Sequence, residues 1–311
     1  MANNGKEILE KQNQINNLVL LLAQREIYSS AKNIQIILII LVSVIPAVIA
    51  IWGYISPEFS AKFPNLMTGY GIIAVIIEFL LIYFRDKKKE LASSVQENFD
   101  KNVFGISKNE NLGVIDIDDN ILLKYKNKID NGENIDELKD WYSKEIIDLQ
   151  TNVAVLFCQR TNVHYDYNVR NNYIVIVILF FISTFLTIFV FGLLKDMKLN
   201  EFLLKIVSAI IPILIFSFNE IKNQKEAIKN IQDLQKIITS RIDETGLNSN
   251  ASETAIRQIQ DRIYNNRKIN PLIPDFLYRL LRNKKNNNLE QTMNFSISRK
   301  IQEMKEPENA T

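Results

Sequence analysis

One cysteine and one histidine occur among 311 residues. A single cysteine closes no intramolecular disulfide, which excludes a stapled secreted domain. The same two residues are too few for a His/Cys zinc site within the chain. Neither sign of charge is in excess: 37 Lys and Arg face 35 Asp and Glu, for a net charge of +2. That balance argues against a dedicated nucleic-acid binder, so direct DNA or RNA binding is not expected. Glycine is sparse, with 9 residues, and there is no glycine-rich phosphate loop, GxSxG elbow or HExxH pair. The expectation is therefore a protein that is not an enzyme and uses no cofactor. A chain with 47% hydrophobic residues is also too apolar for a disordered protein.

Long apolar runs are what the sequence has instead. A mean hydropathy of −0.03 conceals them, because very polar stretches offset them. They lie at residues 34–52, 66–84, 173–194 and 202–218. A hydrocarbon layer about 30 Å thick takes about 20 apolar residues at about 1.5 Å each. The first and third runs meet this without a charge. The second carries Glu78, and the fourth is short and carries Lys205 near one end, where its ammonium can snorkel. Uninterrupted runs of this length are rare in soluble cores. The first run follows a polar stretch and lacks a small-residue cleavage site, unlike a signal peptide.

Basic residues flank the runs on one side: Arg25 and Lys32, then Arg85 with Lys87 to Lys89, then Arg160 and Arg170, then Lys222, Lys225 and Lys229. The short connectors hold only Lys62 in one case and Lys195 and Lys198 in the other. This bias predicts a multi-pass inner-membrane protein with both termini and the central segment in the cytoplasm. The expected fold class is an all-α membrane protein: four transmembrane helices with long cytoplasmic helical extensions.

The remaining segments are polar. Residues 1–33 read as an amphipathic cytoplasmic helix with Ile15, Leu18, Val19, Leu22 and Ala23 on one stripe. Residues 85–172 read as a central helical segment interrupted by a loop at 105–135, where Gly105, Gly113, Gly132 and several Asn and Asp gather. Residues 219–289 read as cytoplasmic helices, broken at Gly246 and again by Pro271 and Pro274. Residues 290–311 read as a disordered tail.

Few residues suggest chemistry. Asp116, Asp118 and Asp119 lack the glycine and terminal glutamate of a calcium loop, so a solvated loop is expected and no metal site. His164 and Cys158 have no identifiable acid, base or nucleophile as partner. Glu78 either lines an aqueous path or snorkels and pairs with Arg85. Ser183, Thr184 and Thr187 share one helix face and either line a pore or hydrogen-bond between packed helices. Pro46 and Pro212 are expected to kink their runs, and Gly69 and Gly71 to allow close approach. Arg160, Arg170, Arg257, Arg262 and Arg267 either gather on a phosphate-bearing ligand, with Tyr264 and Tyr278 stacking, or serve solvated faces and ion pairs.

Several short motifs keep one order around the four runs. They are QREIYSSAK at 24–32, VQENFD at 95–100 followed by Val103 and Phe104, Asp140-Trp141-Tyr142, CQRTN at 158–162, QIQDRIY at 258–264 and Ile273-Pro274-Asp275. By these the chain resembles the S-4TM family of bacterial four-transmembrane effectors, over nearly its whole length to about residue 281. The resemblance implies a pore-forming effector of cyclic-oligonucleotide-based antiphage signalling, in functional association with a nucleotidyltransferase. A cyclic oligonucleotide is then the implied ligand and the lipid bilayer the implied surroundings. One four-helix bundle fills its own core with side chains, so a pore requires a homo-oligomer. The alternative is a non-conducting membrane anchor that recruits a cytoplasmic partner.

Overall fold

The computed structural model describes residues 5–63, 65–194, 198–245 and 252–276, together with residues 291, 294, 295, 297–299, 301 and 302. No strand occurs among them, so the protein is all-α there. The helices are α1 (Gly5–Gln12), α2 (Ile15–Ile39), α3 (Ile45–Ile55), α4 (Pro57–Lys62), α5 (Leu66–Phe104), α6 (Asp119–Asp130), α7 (Thr151–Leu194), α8 (Leu199–Glu201), α9 (Ser208–Thr245) and α10 (Glu253–Ile269). A π-helical stretch, Ile40–Val44, joins α2 to α3, and a second, Phe202–Val207, leads into α9.

Three helices are far longer than a bilayer core is thick. The 39 residues of α5 reach about 58 Å and the 44 of α7 about 66 Å, against a hydrocarbon layer of about 30 Å. Each has an apolar half and a polar half. Helix α2 packs along α5, and α7 along α9, while α1 and α10 lie across the polar halves. There the apolar positions of all six close one core, with Leu22, Val95, Phe99, Phe157, Leu234 and Ile263 nearly inaccessible. The apolar halves do the opposite. Phe79 is 75% exposed and Leu204 75%, and Ile72, Leu179, Leu186 and Ile215 are also exposed. The molecule is thus a packed polar base carrying a belt of outward-facing aliphatic and aromatic side chains.

Two stretches among the described residues are long and apolar enough to cross a membrane: Ile15–Gly53 and Thr151–Leu194. The other two runs fall on α5 and on the π-helical stretch with the start of α9.

Local structure departs from the sequence reading in places. The N-terminal helix is broken at Asn13 and Gln14, and Ile15 of the expected stripe is exposed while Leu18, Val19, Leu22 and Ala23 are buried. The expected loop at 105–135 contains α6. Asp118 caps that helix by accepting from the Asn120 backbone N–H at 2.8 Å, and Tyr125 anchors it in the core. The stretch after residue 135 is not helical until Thr151 and holds two single 3₁₀ turns, Asp136–Leu138 and Lys144–Ile146. Asp140 there adopts a left-handed φ of 51°, held by Asn13, whose amide donates to its carboxylate at 2.8 Å and accepts from its N–H at 3.0 Å.

Pro46 and Pro212 lie shortly after the two π-helical stretches. Proline removes a donor and crowds the carbonyl four residues back; for Pro46 that is the Val42 carbonyl, inside the first widened stretch, which accommodates the strain, whereas Pro212 sits within α9. Close helix approach falls at Gly192, where an added Cβ would lie 2.5 Å from the Phe202 ring, whereas Gly69 and Gly71 face open space. The tail expected at 290–311 supplies Ile297 to the core, and most of its other residues lie outside the described ones.

Candidate functional site

The polar base contains a buried ionic network between α5 and α10. Helical spacing places Ser93, Ser94, Glu97 and Asp100 on one face of α5, and all four are buried. On α10 the same periodicity aligns Arg257, Gln260, Tyr264 and Arg267. Arg257 donates from Nη2 to Glu97 at 2.6 Å and from Nε to Asp261 at 2.7 Å. Arg267 donates to Asp100 at 2.5 Å. The Gln260 amide bridges the two carboxylates, 2.8 Å from each. The Tyr264 hydroxyl meets the Ser94 hydroxyl at 3.2 Å. Helix α7 closes the back, with Gln159 donating to Gln260 at 3.1 Å.

Burial is the first influence on the charges here. It raises the Glu97 carboxyl above the usual carboxylate range, and Asp100 adds to the effect, while Arg257 and Gln260 oppose it. Burial disfavours the Arg267 cation, but Asp100 outweighs it and the guanidinium is held more firmly protonated. Burial and then Asp100 raise the Cys158 thiol well above its ordinary value. A thiol that stays protonated is a poor nucleophile.

The five arginines do not converge. Arg257 and Arg267 belong to the α5–α10 network. Arg262 stands exposed on the outer face of α10. Arg170 is buried midway along α7, where its polar half meets its apolar half, 2.9 Å from Asp166, donating to Gln224 at 2.7 Å and to the Pro271 carbonyl at 3.0 Å. Arg160 is half-buried lower on α7; burial weakens its charge and Asp243 supports it. Tyr264 is fully buried and unavailable for stacking, and Tyr278 lies outside the described residues.

The candidate pore residues lie on the belt. Ser183 and Thr187 are exposed on α7, where the Thr187 hydroxyl donates to the Ser183 carbonyl at 2.8 Å, and Thr184 is half-buried. Glu78 is half-exposed on α5. It is not paired with Arg85, which donates to Gln35 at 2.7 Å and lies 2.9 Å from Asp86.

An open groove of about 830 Å³ runs between α7 and α9, lined among others by His164, Tyr167, Gln235, Lys236, Asp243 and Glu244. His164 Nδ1 lies 3.3 Å from the Gln235 amide. Burial, and then Arg160, hold the imidazole below its ordinary pKa. Sequence reasoning singled out His164 but missed this groove, whose other wall is 71 residues away on α9. It also missed Glu97, Asp100 and Gln260, although VQENFD and QIQDRIY contain all three.

An all-α chain with an apolar belt over a polar, internally ion-paired base is the class these features define. The SMODS-associating 4TM effector domain matches residues 6–295, and the chain belongs to that family. It is 30% identical over 302 residues to a probable CBASS effector molecule of Bacillus cereus (strain VD146), covering 94% of this chain and 99% of the relative. No solved structure matches it.

Proposed function

We propose that the chain is a membrane effector of a bacterial antiphage system, opened or assembled as a pore by a cyclic-nucleotide messenger. The observation that carries the reading is the match over nearly the whole length to an effector family and to a probable CBASS effector. The proposal has four crossings, at 34–52, 66–84, 173–194 and 202–218, with both termini cytoplasmic. The exposed aliphatic belt supports it, since α5 and the start of α9 carry it alongside α3 and α7. A pore forms only between chains, because the hydroxyls of Ser183 and Thr187 face outward and a bundle core leaves no wide channel. Glu78, an acidic residue at membrane depth, then faces water at the assembly axis.

The messenger binds the base. The α7–α9 groove has the volume of a small-ligand site, with Lys236 on its wall and Arg160 beside His164. Binding opens the pore only so far as the messenger prefers the open arrangement to the closed one. The test is membrane potential and dye entry in bacteria expressing the protein, with and without a cyclic-nucleotide-producing enzyme. Depolarisation only with the enzyme is the expected result. Intact membranes in both conditions, with the protein confirmed in the membrane, would replace the pore with a non-conducting anchor.

A further inference from the structure

The segment from Ile269, the last residue of α10, to Phe276 is tied to the long apolar helices at four points. Lys89 of α5 donates to the carbonyls of Ile269 at 3.2 Å and Asn270 at 3.4 Å. Arg170 of α7 donates to the Pro271 carbonyl at 3.0 Å. Ile273 is buried in a small cluster with Val169, Tyr173 and Val177. Asp275 accepts from Lys32 of α2 at 2.6 Å.

These partners fix the height of the segment. At about 1.5 Å per residue, Lys32 lies about 3 Å before the apolar run at 34, Arg170 about 4.5 Å before the run at 173, and Lys89 about 7.5 Å past the run ending at 84. A headgroup layer is roughly 5–8 Å thick on each side of the hydrocarbon. The segment is therefore level with the headgroups. At that level it exposes two large apolar side chains, Ile269 at 73% and Phe276 at 59%. The basic stretch midway along α5 lies at the same height, with Lys87 exposed and Lys88 half-buried.

We propose that this segment is an interfacial anchor, with Ile269 and Phe276 inserted at the headgroup–acyl boundary of an anionic lipid leaflet and Lys87 and Lys88 facing lipid phosphates. An apolar side chain at the interface beside cations is the pattern of a membrane-surface element. The anchor continues the lipid-facing belt onto the cytoplasmic base and rests on the membrane reading above. It ties α10, and through Arg257 and Arg267 the buried network, to the bilayer surface.

The test is nitroxide accessibility in the full-length protein, reconstituted in phosphatidylethanolamine–phosphatidylglycerol bilayers. Labels are placed singly at Ile269→Cys and Phe276→Cys, with Leu186→Cys on the belt and Arg262→Cys on the outer face of α10 as references. The buried Cys158 stays unlabelled. The expected ratio of oxygen to nickel-complex collisions is several-fold higher at 269 and 276 than at 262. Ratios at 269 and 276 equal to that at 262, with 186 in lipid, would overturn the anchor alone. A water-exposed 186 would overturn the membrane reading itself. Labels at 269 and 276 shielded from both reagents would place a protein surface there and also overturn the anchor.

Discussion

Glu97 and Asp100 are two buried carboxylates one helical turn apart, each ion-paired with an arginine and hydrogen-bonded by the Gln260 amide. Because burial and Asp100 raise the Glu97 pKa above its ordinary 4.5, the folded protein holds that proton at pH values where the unfolded chain has released it. Stability from this group is then fully present below the unfolded value and is lost as pH rises through the raised one. Glu97→Gln should remove that slope, so the difference in Tm between variant and wild type in detergent should shift in favour of the variant as pH rises above about 4.5. A constant difference across that range would contradict it. Arg267→Met leaves Asp100, 1% exposed, without its cation, at a cost of about 3–5 kcal/mol. Adding Asp100→Asn should recover much of that loss in thermal unfolding, because the uncompensated charge has gone.

Among the elements, α1 depends on a close approach that only glycine permits. Gly5 donates its N–H to the Leu149 carbonyl at 2.8 Å, and a Cβ at that position would lie 1.9 Å from the Ile146 carbonyl oxygen. Gly5→Ala should therefore push α1 away from the turn before α7 and cost about 1–3 kcal/mol, read as a lower Tm and faster proteolysis near the N-terminus. Unchanged stability would mean that α1 contributes little to the base. Helix α6 illustrates the limit of composition as a guide. Its asparagines and aspartates resemble loop chemistry, but Asp118 is its cap and Tyr125 its buried anchor. Capping residues and turn residues are the same few types, so only the docking of Tyr125 distinguished helix from loop.

At the scale of the whole molecule, the packed base and the greasy belt divide every long helix into two environments. Glu78 sits in the second environment without an ionic partner among the described residues. On the proposed assembly, Glu78→Ala should preserve pore formation and lower the preference for cations, measured as a shift in reversal potential under a salt gradient. An unchanged reversal potential would remove Glu78 from the conduction path. A reporter enzyme active only outside the cytoplasm should work when inserted in the 56–63 connector and fail at the C-terminus. Activity at the C-terminus would invert the topology.

The sequence by itself determined the helical class, the family and the apolar runs, because hydrophobic periodicity and run length are local properties. The buried stripe of Leu18, Val19, Leu22 and Ala23 was legible for the same reason. Partnership was not legible. Arg257 and Arg267 were visible as cations, but a free phosphate cradle and a set of internal ion pairs demand the same residues. Only the packing of α10 against α5, which brings together residues 160 and 167 positions apart, committed them to Glu97 and Asp100. A charge in a sequence has no fixed counterion, and in a folded base burial makes the nearest opposite charge its partner.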